Sequence, residues 1–230
     1  NYCDRWCERC AMTARCYIFW QGRRAEARHR AAGRDPHDWA VVLEDVKEQF
    51  RQGLQLLRES AKKHGIDLDN LPEVEFAHPD PSGRPLYQRA EAYADAAHAF
   101  LAELRQRVME EHRALEQRAA VMGPEQAASG YTNLLDAYEV VSWYHRLIPA
   151  KIHRALSSLL EAEEEDEAEG RALQMNDAQG SAKVAYESVA KSLSALQRVY
   201  DWDRTSEDQL LPLLADLEWI RKQIETTFPG

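Results

Sequence analysis

The sequence lacks the features that define several common classes of protein. It contains no run of eighteen apolar residues, so we expect no membrane-spanning helix. Charged side chains interrupt the first twenty residues, which argues against a secretory signal there. Only ten of the 230 residues are glycine, and no phosphate-binding glycine loop, nucleophile elbow or Ser-His-Asp pattern is present. These absences favour a cytoplasmic protein without a nucleotide site.

An excess of positive charge is also missing from the chain as a whole. The formal net charge is −10, which argues against nucleic acid as the main partner. The first 34 residues are the exception, because they contain eight arginines and only three acids. This basic stretch is also the part of the chain that holds every cysteine.

Strict alternation of apolar and polar residues, the pattern of a half-buried strand, is absent as well. Apolar residues instead recur at intervals of three and four, which is typical of amphipathic helices. The first such face follows Asp35-Pro36, ends near His64-Gly65, and consists of Val42, Val46, Phe50, Leu54 and Leu57. Further helices are predicted over about 86–121, 132–167, 178–200 and 206–228. A capping box formed by Ser206 and Gln209 is predicted to open the last of them.

We therefore predict an all-α fold. An up-and-down helical bundle of four to five long helices is expected over residues 35–230, with residues 1–34 docked on it as a cysteine-rich segment. Four prolines within residues 66–85 indicate a loop. Seven acids within residues 161–169 indicate a solvated acidic connection, which we place at 161–176.

All four cysteines lie within the first sixteen residues, at Cys3, Cys7, Cys10 and Cys16. Disulfide bonds would close only small loops here and would stabilise a chain of this size little. Structural zinc accepts four thiolates, but its sites usually separate two cysteine pairs by a dozen or more residues. The compact spacing favours an iron–sulfur cluster, because closely spaced cysteines are typical of cluster-binding loops.

The stretch Cys3-x3-Cys7-x2-Cys10 resembles the three-cysteine motif of the radical SAM enzymes. That resemblance implies a [4Fe–4S] cluster with one open iron and a fold that contains a βα barrel. The sequence has no alternating βα pattern, and Cys16 could supply the fourth thiolate, so we expect a closed [4Fe–4S] cluster instead. Arginines whose positive charge would stabilise the cluster anion are interleaved with the ligands: Arg5, Arg9 and Arg15.

A second metal site inside the bundle is a further hypothesis. Di-iron bundles combine glutamates with Glu-x-x-His pairs, and no long predicted helix contains that pair. Glu91, Asp95 and His98 nevertheless share one helix face, and His145 lies on an apolar stripe with Glu139 nearby in sequence.

Three functions are compatible with these patterns. The favoured one is a helical [4Fe–4S] protein that acts in electron transfer or redox sensing with a redox or protein partner. The alternative is a non-enzymatic interaction or scaffold protein with a structural zinc site. The third is a ferritin-like bundle enzyme, a metal-dependent oxidoreductase that uses a carboxylate–histidine centre.

Overall fold

The computed structural model describes residues 2–71, 79–122 and 129–229. Its contacts divide the chain into two compact units, one of residues 1–4 and 78–230 and the other of residues 5–77. We call them the bundle unit and the amino-terminal unit. Every regular element within the described ranges is helical, and no strand occurs there, so the all-α prediction is confirmed. None of the described helices is long and apolar enough to cross a membrane.

The bundle unit contains four long helices. We label them α3 (Pro85–Met122), α4 (Ser129–Glu164), α5 (Ala168–Trp202) and α6 (Glu207–Thr227). α4 packs extensively on α5 and also contacts α3, while α6 contacts both α5 and α3. The four helices therefore form a ring in chain order, which is the arrangement of an up-and-down bundle.

The core of this bundle consists of apolar side chains from all four helices. Tyr93 and Leu104 on α3, Ile148 on α4, Leu196 on α5 and Leu217 on α6 are at most 1% exposed. The buried face of α5 is rich in small residues, which permit a close approach of neighbouring helices: Ala178, Ser181, Ala182, Ala185, Ser188, Ser192 and Ala195. This unit thus buries a continuous core of its own.

The connections of the bundle differ in detail from the prediction. Only residues 165–167 separate α4 from α5, so the acidic connection predicted at 161–176 is largely helical. Ser206 precedes α6 but forms no side-chain cap, so the predicted capping box is wrong. Its hydroxyl accepts a hydrogen bond from Arg107, and Gln209 donates to Glu103 on α3. Residues 72–78 of the predicted proline-rich loop lie outside the described residues.

The amino-terminal unit contains two longer helices, α1 (Tyr17–Ala31) and α2 (Trp39–His64). α2 begins three residues after Pro36, because Asp38 caps it by accepting a hydrogen bond from the Ala40 amide at 2.8 Å. It ends as predicted at Gly65, whose φ of 68° lies in the left-handed region.

Few apolar side chains are buried in this unit. Within its described residues only Trp6, Val41 and Ala61 belong to the core. The apolar face predicted for α2 exists but is exposed; Phe50, for example, is 70% exposed. The face therefore has the expected helical spacing without the burial that such spacing usually brings.

Candidate metal centre

Three of the four cysteines lie in the amino-terminal unit at the edges of short 3-10 turns. Cys7 begins the turn Cys7–Arg9, and Cys10 follows that turn. Cys16 follows the turn Thr13–Arg15 and is the residue that precedes α1. Each of these three thiols therefore lies beside a short turn.

Two of these sulfur atoms accept backbone hydrogen bonds. The Met12 amide donates to Cys10 Sγ at 3.4 Å, and the Phe19 amide donates to Cys16 Sγ at 3.5 Å. The second bond also caps α1, where the helix macrodipole favours negative charge. Both contacts would stabilise a thiolate, which is the form of cysteine that binds metals.

The loop between Cys3 and Cys7 has an unusual backbone. Arg5 has a φ of 56°, in the left-handed region that non-glycine residues seldom adopt. Such a conformation costs on the order of 1–2 kcal/mol, so neighbouring contacts must hold it. Next to it, the Arg9 guanidinium lies over the Trp6 ring at 4.1 Å from its centroid.

The fourth cysteine, Cys3, lies in the bundle unit, and its neighbour Asp4 joins the chain to α4 and α5. The Tyr144 hydroxyl donates to Asp4 Oδ2 at 2.6 Å, and Lys191 Nζ donates to the same oxygen at 3.0 Å. The Trp143 indole N–H also donates to the Asp4 carbonyl oxygen at 3.0 Å. We call this group the Asp4 anchor.

The Asp4 anchor shifts the protonation equilibria of its members. Burial raises the pKa of the Tyr144 hydroxyl, and its hydrogen bond to the Asp4 carboxylate raises it further. Burial opposes the charge on Lys191, but hydrogen bonds to Tyr144 and Asp4 outweigh that effect and raise the pKa of Lys191. The tyrosine therefore stays neutral and the lysine stays charged at physiological pH.

Tyr2 forms a second attachment on the other side of Cys3. Its ring lies against Gly180 of α5, where an added Cβ would clash with the ring as it is placed. The glycine therefore allows this close contact. Cys3 itself is exposed, between Tyr2 and Asp4, both of which contact the bundle helices.

All four cysteines are free thiols. Among the residues that the structure describes, no group of three or more His, Cys, Asp or Glu side chains is arranged as a set of metal ligands. Ligands on a small segment commonly converge only when the metal binds, because metal binding and local folding are coupled. The four-cysteine site stays a prediction.

The second predicted site is only partly brought together. His98 on α3 and His145 on α4 stack with ring centroids 5.6 Å apart, while Glu139 is exposed and Glu91 is half-buried. Asp95 is exposed and pairs with Arg146 at 2.8 Å.

The partners of His145 also give this second site little support. His145 Nδ1 donates to the Ser142 carbonyl at 2.9 Å, and burial lowers the pKa of its imidazole. These contacts account for Asp95 and His145 without a metal, so the described residues add nothing to the hypothesis of a bundle metal site.

Comparison with protein-family models, with curated proteins and with solved structures finds no match to this chain.

Proposed function

We propose that Cys3, Cys7, Cys10 and Cys16 bind a [4Fe–4S] cluster and that the protein acts in electron transfer or redox sensing. The observation that carries the proposal is the confinement of every cysteine to fourteen residues, folded into short turns. Closely spaced thiolates on one loop match the several corners of a single cluster. The hydrogen bonds to Cys10 and Cys16 support the same chemistry, because such bonds tune cluster potentials.

The charges of the segment fit an anionic cofactor. A cluster held by four thiolates carries net negative charge, and Arg5, Arg9 and Arg15 alternate with its proposed ligands. Their charge favours the reduced, more negative state, and therefore raises the reduction potential. Zinc held by four thiolates is also anionic, so the arginines fit either cofactor, and it is the compact cysteine spacing that favours the cluster over zinc.

The chemical role of a cluster here is the uptake and release of one electron. The electron comes from, and passes to, a redox partner protein, and no covalent bond is made or broken in the chain. The protein's own residues supply the four thiolates, the neutralising guanidinium groups and the Asp4 anchor, which fixes one end of the ligand segment to the bundle.

Metal analysis of the protein purified without oxygen tests this proposal. We expect about four iron and four acid-labile sulfide per chain, and an electron paramagnetic resonance signal after reduction with dithionite. One zinc per chain without sulfide would contradict the proposal and favour the structural zinc site instead.

The variant Cys16→Ser tests whether the site is closed. Replacing the fourth thiolate should lose or degrade the cluster, with a large fall in iron content and an altered absorption spectrum. Ala11→Ser is the matched control, because it adds a hydroxyl to the same exposed loop without removing a ligand. Full iron and an unchanged spectrum in Cys16→Ser would show a three-cysteine site with an open iron.

A further inference from the structure

The exposed face of α2 is an extended apolar feature that the proposed cluster does not use. Seven side chains on this helix are exposed by 37% to 75%: Trp39, Val42, Val46, Phe50, Leu54, Leu56 and Leu57. All but Leu56 share one face of the helix, and together they present on the order of several hundred Å² of apolar surface, the scale of one partner's share of a protein interface. Monomeric proteins rarely leave a contiguous apolar patch of this extent uncovered.

The face also has a defined shape. A groove of about 440 Å³ runs along it, lined by Val46, Gln49, Phe50, Gly53, Leu54 and Leu57. Gly53 has no side chain and faces open space, because a Cβ added there would meet nothing within 4 Å. The bulky side chain of Phe50 therefore lies one helical turn from a position without a side chain.

We propose that this face binds the same face of a second copy of the chain, as an antiparallel pair of α2 helices. The residues at its centre follow spacings of four and three, the seam of a two-stranded coiled coil: Trp39, Leu43, Val46, Phe50, Gly53 and Leu57. When two such helices overlap fully in antiparallel order, Phe50 of each copy lies opposite Gly53 of the other. Val46 then lies opposite Leu57, so an apolar pair flanks each layer in which Phe50 meets Gly53.

The charges along α2 favour the antiparallel direction. The first half, residues 39–51, contains Glu44, Asp45 and Glu48 and has a net charge of −1. The second half, residues 52–64, contains Arg58, Lys62 and Lys63 and has a net charge of +2. Antiparallel pairing places the acidic half beside the basic half and opposes the two helix dipoles, whereas parallel pairing places like charges together.

Sedimentation of the full-length protein at micromolar concentrations, with reductant present to prevent disulfide cross-links, tests the proposal. We expect a monomer–dimer equilibrium. Phe50→Glu should raise the dimer dissociation constant by roughly 30-fold or more, as expected for a central apolar contact. Leu173→Glu on α5 is the matched control, because Leu173 is 67% exposed against 70% for Phe50, and it should leave the constant unchanged.

The variant Gly53→Leu distinguishes an interface of complementary shape from nonspecific hydrophobic association. Leucine has a higher helix propensity than glycine and finds open space at this position in the single chain, so α2 should stay helical by circular dichroism. It also fills the space that receives Phe50 of the second copy, and should therefore weaken the dimer. The proposal is overturned if the wild type stays monomeric, if Gly53→Leu dimerises as tightly as the wild type, or if Leu173→Glu weakens association as much as Phe50→Glu.

Discussion

The two units of this chain differ in whether their apolar side chains are buried. In the bundle unit, every long helix contributes fully buried side chains to a shared core. In the amino-terminal unit, α2 has an equally regular apolar face, yet the described part of that unit buries only Trp6, Val41 and Ala61. Because burial of apolar surface is the main favourable term in folding, the bundle can account for its own stability.

The amino-terminal unit therefore depends on other interactions for its order. Its contacts include ion pairs such as Arg34 with Glu44, and the hydrogen bond between His29 and Asp45 at 2.9 Å. Exposed ion pairs contribute little free energy of folding. The proposed cluster on the cysteines and the proposed second copy on α2 would each add stabilising interactions to this unit.

Core truncation should give the largest difference between the two units. Leu217→Ala removes a side chain with no exposed surface from α6, and should lower the free energy of unfolding by about 2–5 kcal/mol. Leu57→Ala removes a leucine that is 54% exposed on α2, and should cost less than about 1 kcal/mol in the monomer. Urea unfolding followed by circular dichroism at dilute concentration measures both. Equal losses would show that the face of α2 is buried in the folded monomer.

The Asp4 anchor should give a smaller, local effect. Asp4→Asn removes the charge that Tyr144 and Lys191 stabilise, so tryptic cleavage after Arg5 and Arg9 should become about tenfold faster or more. The helicity of the bundle should not change. Asp95→Asn removes an exposed pair with Arg146 and serves as the control, with little effect expected. Cleavage at the wild-type rate in Asp4→Asn would show that these contacts do not hold the segment.

Helical periodicity made most of the bundle predictable. Tyr93, Phe100 and Leu104 recur at helical spacing on α3, and all three are buried. The same spacing placed Phe50 correctly on an apolar helix face. It carried no information on what covers that face. Periodicity reports the conformation of a segment and the side it shows to an apolar environment, whereas burial depends on which other element lies against that side.

The contacts around the cysteines were not predictable from local patterns. Asp4 and Tyr144 are 140 positions apart, and Lys191 has the spacing of an ordinary ion pair with Glu187 on its own helix. Instead it donates to Asp4. Gly180 likewise looks like an unremarkable helix glycine until Tyr2 is placed on it. Such contacts join distant parts of the chain, so no window of sequence contains both partners.

Hydrogen exchange of the metal-loaded protein and of the same protein after metal removal tests the central claim most directly. We expect metal removal to speed amide exchange across about the first 34 residues, because that segment has little core of its own and, on our proposal, the bound metal orders it. Helices α3 to α6 should keep their protection. Unchanged exchange in the first 34 residues, or a loss of protection throughout the bundle, would contradict the division of the chain into a self-sufficient bundle and a segment ordered by its cysteines.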